Sequence, residues 1–297
     1  MDEQQREKLN LQWYPGHMTK TRRQMEADLK LVDMVAEIVD ARIPRSSRNP
    51  AIDEILGGKP RLILLNKADL SDPAANARWC DHYQKSGISA ILIECTTGRG
   101  IGDFVGRSKQ LLREKIERDR NRGMNKAIRI MIVGIPNVGK SSFINRMARD
   151  KKAKVEDRPG VTRGKQWIKV SDSVDLLDTP GILWPKFEDE QTALNLAFTG
   201  AIKDDIIDTV TLSGILAKHL LEIAGDAFCT RYKLDEQHAR ALANGLELVE
   251  LIGRKRGFLI SGGEIDCERT AAMILDEFRA GKIGRITLEQ PEEPKRG

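Results

Sequence analysis

Gly134-Ile135-Pro136-Asn137-Val138-Gly139-Lys140-Ser141 decides the fold of this 297-residue chain. An apolar run at 128–133 precedes it and reads as a strand; a helical pattern at 141–149 follows. Strand, Gly-x4-Gly-Lys-Ser loop and helix, in that order, make a phosphate cradle. The glycines let backbone N–H groups curl around an anion, and the helix N-terminus favours negative charge there. Asn137, Val138, Gly139, Lys140, Ser141 and Ser142 are the phosphate-binding candidates. Within them Lys140 would reach the β- and γ-phosphates of a nucleotide, and Ser141 would hold Mg²⁺.

Two further motifs flank the cradle. Asn66-Lys67-Ala68-Asp69 ends an apolar run at 61–65. Asp69 would accept hydrogen bonds from the guanine N1–H and exocyclic amine, a pattern adenine cannot supply. Lys67 would lie over the base plane, and Asn66 would brace the loops. Asp178-Thr179-Pro180-Gly181 follows the run 174–177. Asp178 would hold Mg²⁺ through a water, and the Gly181 N–H would sense the γ-phosphate. Thr162 is the candidate switch threonine that closes over Mg²⁺, in a charged stretch at 150–165, or else a surface loop residue. Cys95 and Thr96, in Glu94-Cys95-Thr96-Thr97-Gly98, belong either to a loop whose backbone touches the guanine oxygen or to a plain strand-to-helix connection. Ras-like GTPases place the P-loop first, DxxG next and NKxD last. Here NKxD leads and DxxG ends the series, which is a circular permutation. The chain leaving Gly181 therefore runs directly into whatever follows.

Strand candidates at 34–39, 61–65, 90–93 and 128–133 alternate with helical segments near 73–86 and 102–120, which predicts an α/β domain with a mostly parallel sheet. Short strands are expected at 166–170 and 173–177. From 190 onward the period becomes helical, at 206–223 and 238–252, so a smaller all-α domain follows. The expected division is 1–190 and 191–297, with the boundary between 185 and 205 and a frayed polar tail at 289–297. Hydrophobic residues at 40% with 31% charged residues fit a soluble globular protein. The apolar runs are too short to span a bilayer, and the polar N-terminus is no secretory signal. Four scattered cysteines fit a reduced cytoplasmic compartment. A monomer is expected. A net charge of +5 and a pI near 9.0 lean toward a polyanionic partner. Arg254, Lys255 and Arg256 beside Phe258, with Arg269, Arg279, Lys282 and Arg285, form either an RNA-binding face or a solvated charged surface. Lys20, Arg22 and Arg23 would add a second contact.

In Ras-like enzymes the residue after DxxG is a glutamine that positions the attacking water. Here it is Ile182, whose alkyl side chain cannot orient water. His17, in the turn Pro15-Gly16-His17, is then either the group acting on water or a structural or exposed histidine. Asn137 would either help coordinate a monovalent cation that neutralises transition-state charge or brace its own loop.

The order Asn66–Asp69, Gly134–Ser141, Pro159–Arg163, Asp178–Gly181 resembles that of the YlqF/RbgA circularly permuted GTPases. Trp13-Tyr14-Pro15-Gly16-His17-Met18, Asp40-Ala41-Arg42-Ile43-Pro44, Arg256–Gly263 and Gly281–Glu289 extend the resemblance over nearly the whole chain. It implies GTP hydrolysis by a factor acting late in large (50S) ribosomal subunit assembly, bound to rRNA and ribosomal proteins with GTP and released on hydrolysis. It also implies His17 as catalytic, with Lys140 and Gly181, K⁺ at Asn137, and a C-terminal domain similar to the ANTAR RNA-binding fold. The loop around Cys95 departs from the family pattern. A GTPase acting on the small subunit or tRNA, and a module that holds GTP with little hydrolysis, are the alternative expectations.

Overall fold

The computed structural model describes residues 18–149, 155–156, 167–179 and 189–292. The chain forms two compact units: Pro185 closes the first, Lys186 opens the second, and at Glu289 the chain rejoins the first.

In the first unit α1 (Met18–Leu29), β1 (Met34–Asp40), α2 (Pro50–Ile55), β2 (Arg61–Asn66), α3 (Pro73–Lys85), β3 (Ser89–Leu92), α4 (Asp103–Leu111), α5 (Arg113–Asn121), β4 (Ile128–Val133) and α6 (Lys140–Arg149) alternate, followed by β5 (Val155–Glu156), β6 (Trp167–Ser171) and β7 (Val174–Asp178). The sheet order is β3-β2-β1-β4-β7-β6-β5. Pairings from β3 through β7 are parallel, while β6 and β5 add antiparallel edges. Every residue of β1 is buried, as a central parallel strand covered on both faces requires. Val35, Met131, Val133, Trp167 and Leu177 pack under α1 and α2, and Val39, Ile63 and Leu65 pack under Trp79 and Tyr83 of α3. In register Asp40 lies beside Asn66, and Ile132 beside Asp178. The carboxyl ends of β2, β1, β4 and β7 thus share one edge of the sheet, where doubly wound folds bind ligands.

The helix expected over 102–120 is two helices. Buried Leu112 leaves helical geometry (φ −102°, ψ 14°), and α5 beyond it buries none of its residues.

The second unit contains α7 (Glu190–Phe198), a 3₁₀ turn (Asp204–Ile206), α8 (Thr209–Ile223), α9 (Gly225–Tyr232), α10 (Glu236–Ala241), α11 (Gly245–Arg256) and α12 (Cys267–Arg279) around one apolar core. Asp189, Asp208, Asp235, Asn244 and Asp266 each cap a helix by accepting backbone N–H groups of its first turn. The single helix expected over 238–252 is broken by one such cap. Asn244 Oδ1 accepts the Glu247 N–H at 3.0 Å, an N-cap that starts a new helix, while Glu247 Oε2 accepts the N–H of Ala243, one residue before the cap, at 2.8 Å. Across the core Gly214 of α8 meets Gly245 of α11, and a Cβ on Gly214 would stand 2.9 Å from the Gly245 carbonyl carbon. The tail also differs from expectation. Glu289 is buried, and 289–292 are bonded to the first unit because Arg45, Ser46, Arg78 and Trp79 offer donors that its oxygens satisfy.

Gly214→Val is expected to force α8 and α11 apart and cost roughly 1–3 kcal/mol, as overpacked cores do. Urea unfolding of the whole chain checks this, and an unchanged midpoint would contradict the close approach.

Candidate functional site

Asn66, at the end of β2, ties three loops with one carboxamide. Its Nδ2 donates to the Val138 carbonyl of the P-loop at 2.7 Å, and its Oδ1 accepts the Cys95 N–H at 3.1 Å. The fit is tight on the P-loop side. Gly139 has φ +101°, and a Cβ there would lie 2.3 Å from Asn66 Nδ2. Glycine is required both for the backbone conformation and for the space.

Lys67 follows in a left-handed conformation (φ 62°), and its Nζ is 2.9 Å from Asp40 Oδ2. The same buried carboxylate accepts the Arg42 backbone N–H at 3.0 Å, Nε at 3.0 Å and Nη2 at 2.7 Å. Burial alone would raise the Asp40 carboxyl, but Arg42 and then Lys67 outweigh it and hold it well below the usual carboxylate range. Its folded value lies below its unfolded one. Its contribution is therefore complete above about pH 4 and is lost as pH falls toward the depressed value.

The loop at 94–99 is fastened from two sides. Glu94 Oε2 accepts the Thr97 hydroxyl at 2.8 Å, and the Gly98 N–H returns to the Glu94 carbonyl at 2.7 Å. From α6, Arg146 donates to the Thr96 carbonyl at 3.2 Å and the Thr97 carbonyl at 2.6 Å. Arg146 escaped the sequence reading because nothing about an arginine two turns along the P-loop helix announces a contact near position 96. In this loop, read as either a guanine-oxygen contact or a plain strand-to-helix connection, the Cys95 N–H donates to Asn66. Burial pushes the Cys95 thiol up to about 12, so it stays protonated and unreactive near neutral pH.

At the phosphate end Lys140 Nζ donates to the Ile135 carbonyl at 3.1 Å. Burial lowers its pKa, with Asp178 pulling the other way; burial raises Asp178, with Lys140 opposing. Asp178 is anchored by its neighbour, since the Thr179 hydroxyl donates to the Ile132 carbonyl of β4 at 2.6 Å. Asn137 takes the left-handed conformation (φ 61°), which Asn tolerates well, while Ser141 and Ser142 are exposed at the start of α6. A half-buried carboxylate and a serine hydroxyl are hard oxygen donors, so this end suits Mg²⁺. No cluster of three or more His, Cys, Asp or Glu able to hold a metal occurs among the described residues. His17, Thr162, Gly181 and Ile182 lie outside the described residues.

In the helical unit the basic candidates divide. Arg279 is occupied by the fold itself, donating to the Ala197 and Phe198 carbonyls at 2.9 and 3.0 Å and pairing with Asp204. Arg269 covers the Phe258 ring at 4.2 Å. Arg254 and Lys255 are exposed. Arg256 and Lys282 instead line a groove of about 650 Å³ with Arg231, Lys233, Asp226 and Thr230. Glu277 pairs with Arg231 and Arg256. Arg231 and Lys233 were missed because they lie outside the 254–285 charge run.

Residues 129–240 match a family model described as a 50S ribosome-binding GTPase. The chain is 50% identical to a ribosome biogenesis GTPase A of Priestia megaterium, over 96% of this chain and 98% of that one. This chain belongs to the ribosome biogenesis GTPase A family. It is also 34% identical to a mitochondrial ribosome-associated GTPase 1 of Mus musculus, over 94% and 90%. GNP-bound YlqF from T. maritima superposes with a TM-score of 0.61 at 29% identity, covering 93% of this chain and 100% of that one. Membership fixes the reaction as hydrolysis of GTP.

Asn66→Ala would strand a P-loop carbonyl and the Cys95 N–H, and GDP affinity is expected to fall about 10- to 100-fold. Arg146→Ala should loosen only the 94–99 loop, with GDP release quickening by about tenfold at most. Stopped-flow release of a fluorescent GDP separates the two, and equal effects would contradict the hierarchy.

Proposed function

We propose that this protein is a GTP-driven factor in ribosome assembly, acting late on the large subunit, bound to rRNA and ribosomal proteins in the GTP state and released on hydrolysis. The observation that carries the guanine-nucleotide part is the Asn66 tie, which brings the NKxD loop, the P-loop and the 94–99 loop to one edge of the sheet. The ribosomal part rests on the relatives. The Priestia megaterium protein is named for ribosome biogenesis and the mouse protein for the mitochondrial ribosome. The groove of Arg231, Lys233, Arg256 and Lys282 supports an RNA partner, because convergent cations neutralise backbone phosphates.

In this reading Asp69 reads the base and Lys140 neutralises the phosphates. Ser141, Asp178 and Thr162 hold Mg²⁺, which supplies positive charge to the phosphate oxygens. Gly181 senses the γ-phosphate. His17 acts on the attacking water in place of the residue that Ile182 supplants, and Asn137 helps hold K⁺. The switch carrying Asp178 and Gly181 continues into the helical unit, so loss of the γ-phosphate is the event that alters grip on the particle.

GTP turnover in potassium buffer, with purified large or small ribosomal subunits, tests the proposal. Stimulation by the large subunit alone is expected, and no response to either particle would overturn it. His17→Ala should lower turnover by about 10²- to 10⁴-fold with GDP binding retained. Turnover indifferent to that change and to replacing potassium by sodium would return weight to a structurally held nucleotide.

A further inference from the structure

Of the signature Asp40-Ala41-Arg42-Ile43-Pro44 only Asp40 and Arg42 have entered the nucleotide site so far, and the closing Glu289 has no role there. In the folded chain they meet. The Glu289 carboxylate accepts the Arg45 N–H at 2.7 Å and the Ser46 N–H at 3.1 Å, together with the Ser46 hydroxyl. These donors lie in the connection after β1, whose residues 41–44, 46 and 47 are buried although it has no regular structure. A buried, irregular backbone takes its shape from whatever satisfies its polar groups. Here successive N–H groups and a hydroxyl converge on one anion.

The neighbouring bonds carry that shape to the base-recognition lysine. Ser47 Oγ accepts the Asp40 N–H at 2.9 Å and donates to the Ile43 carbonyl at 2.7 Å, and the Tyr83 hydroxyl donates to the Pro44 carbonyl at 3.0 Å. Asp40 then holds the Lys67 ammonium. Glu289 is itself seated on α3, where Trp79 Nε1 donates to its carbonyl at 3.1 Å and Arg78 donates to Gln290 Oε1 at 2.8 and 3.1 Å.

We propose that Glu289 is a positioning residue for guanine recognition: it fixes the connection 40–47, and through Asp40 it sets where the Lys67 ammonium stands. The end of the chain, reached only after the whole helical unit, thereby completes the nucleotide site of the first unit. This rests on the guanine reading of Asn66–Asp69.

The test uses the full chain with Glu289→Ala, Glu289→Gln, Asp40→Asn and Asp69→Asn. In Glu289→Ala, hydrogen exchange at the Arg45 and Ser46 amides should quicken. GDP release should accelerate by about tenfold, with KM for GTP rising in step and kcat at saturation kept. Glu289→Gln retains an acceptor oxygen and should lie nearer the parent. Asp40→Asn should reproduce the KM effect without changing exchange at Ser46. Faster exchange with unchanged release and KM would overturn the proposal, and so would unchanged exchange. Asp69→Asn is the separate control. If it leaves the preference for guanosine over xanthosine diphosphate unaltered, the guanine reading fails, whatever Glu289 does.

Discussion

One carboxamide sets the geometry on which the nucleotide site depends. Asn66 has one donating and one accepting end, and it uses the first on the P-loop and the second on the 94–99 loop. Neither a carboxylate nor an alkyl group of the same size could do both. In the order β3-β2-β1-β4 the 94–99 loop leaves β3, beside β2, and the P-loop leaves β4, one strand beyond β1, so all these strand ends share one edge and the amide needs only to fix their spacing. Gly139 is the matching concession, since any side chain there would occupy the space of the amide nitrogen. Order along the chain matters little to such a tie. The Asn66–Asp69 loop precedes the P-loop by a large part of the domain, and the sheet still brings both to the same edge, with only β1 between their strands.

Much of this was legible in the sequence, for physical reasons that also mark the limits. The runs at 61–65 and 128–133 announce buried parallel strands because both faces must be apolar, and the motifs at their ends could be assigned because a short loop cannot stray far from its strand. The break in the helix expected at 238–252 was also written locally, in Asn244 and Glu247, but the apolar period running through it masked the cap. Arg146, Glu289 and the occupation of Arg279 were not legible. Each depends on a contact between distant positions, and a charged residue looks alike whether its partner is water, a nucleic acid or a carbonyl of its own fold. The tail makes the point most sharply: polar composition suggests fraying, yet polar atoms are what a buried, irregular connection requires.

The two ends of the site solve the problem of buried charge in opposite ways. At the base end the charges are matched within the protein. Asp40 has Arg42 and Lys67, its carboxyl is held low, and removing one member of such a buried set typically costs about 3–5 kcal/mol. There every partner of the carboxylate belongs to the fold itself. At the phosphate end burial works against charge on both Lys140 and Asp178, which offset each other only in part. A polyanion and its cation supply the opposite charges these groups favour, so binding energy is concentrated where the chemistry occurs. Under the proposed roles, a base end built in advance would discriminate, whereas a phosphate end whose electrostatics change with the ligand would report which nucleotide is bound. Asp178 belongs to that responsive end, and the chain leaving it leads into the helical unit. In the proposed function recognition and signalling are thus divided between two halves of one sheet edge, with the Asn66 tie holding the P-loop and the 94–99 loop at a fixed spacing.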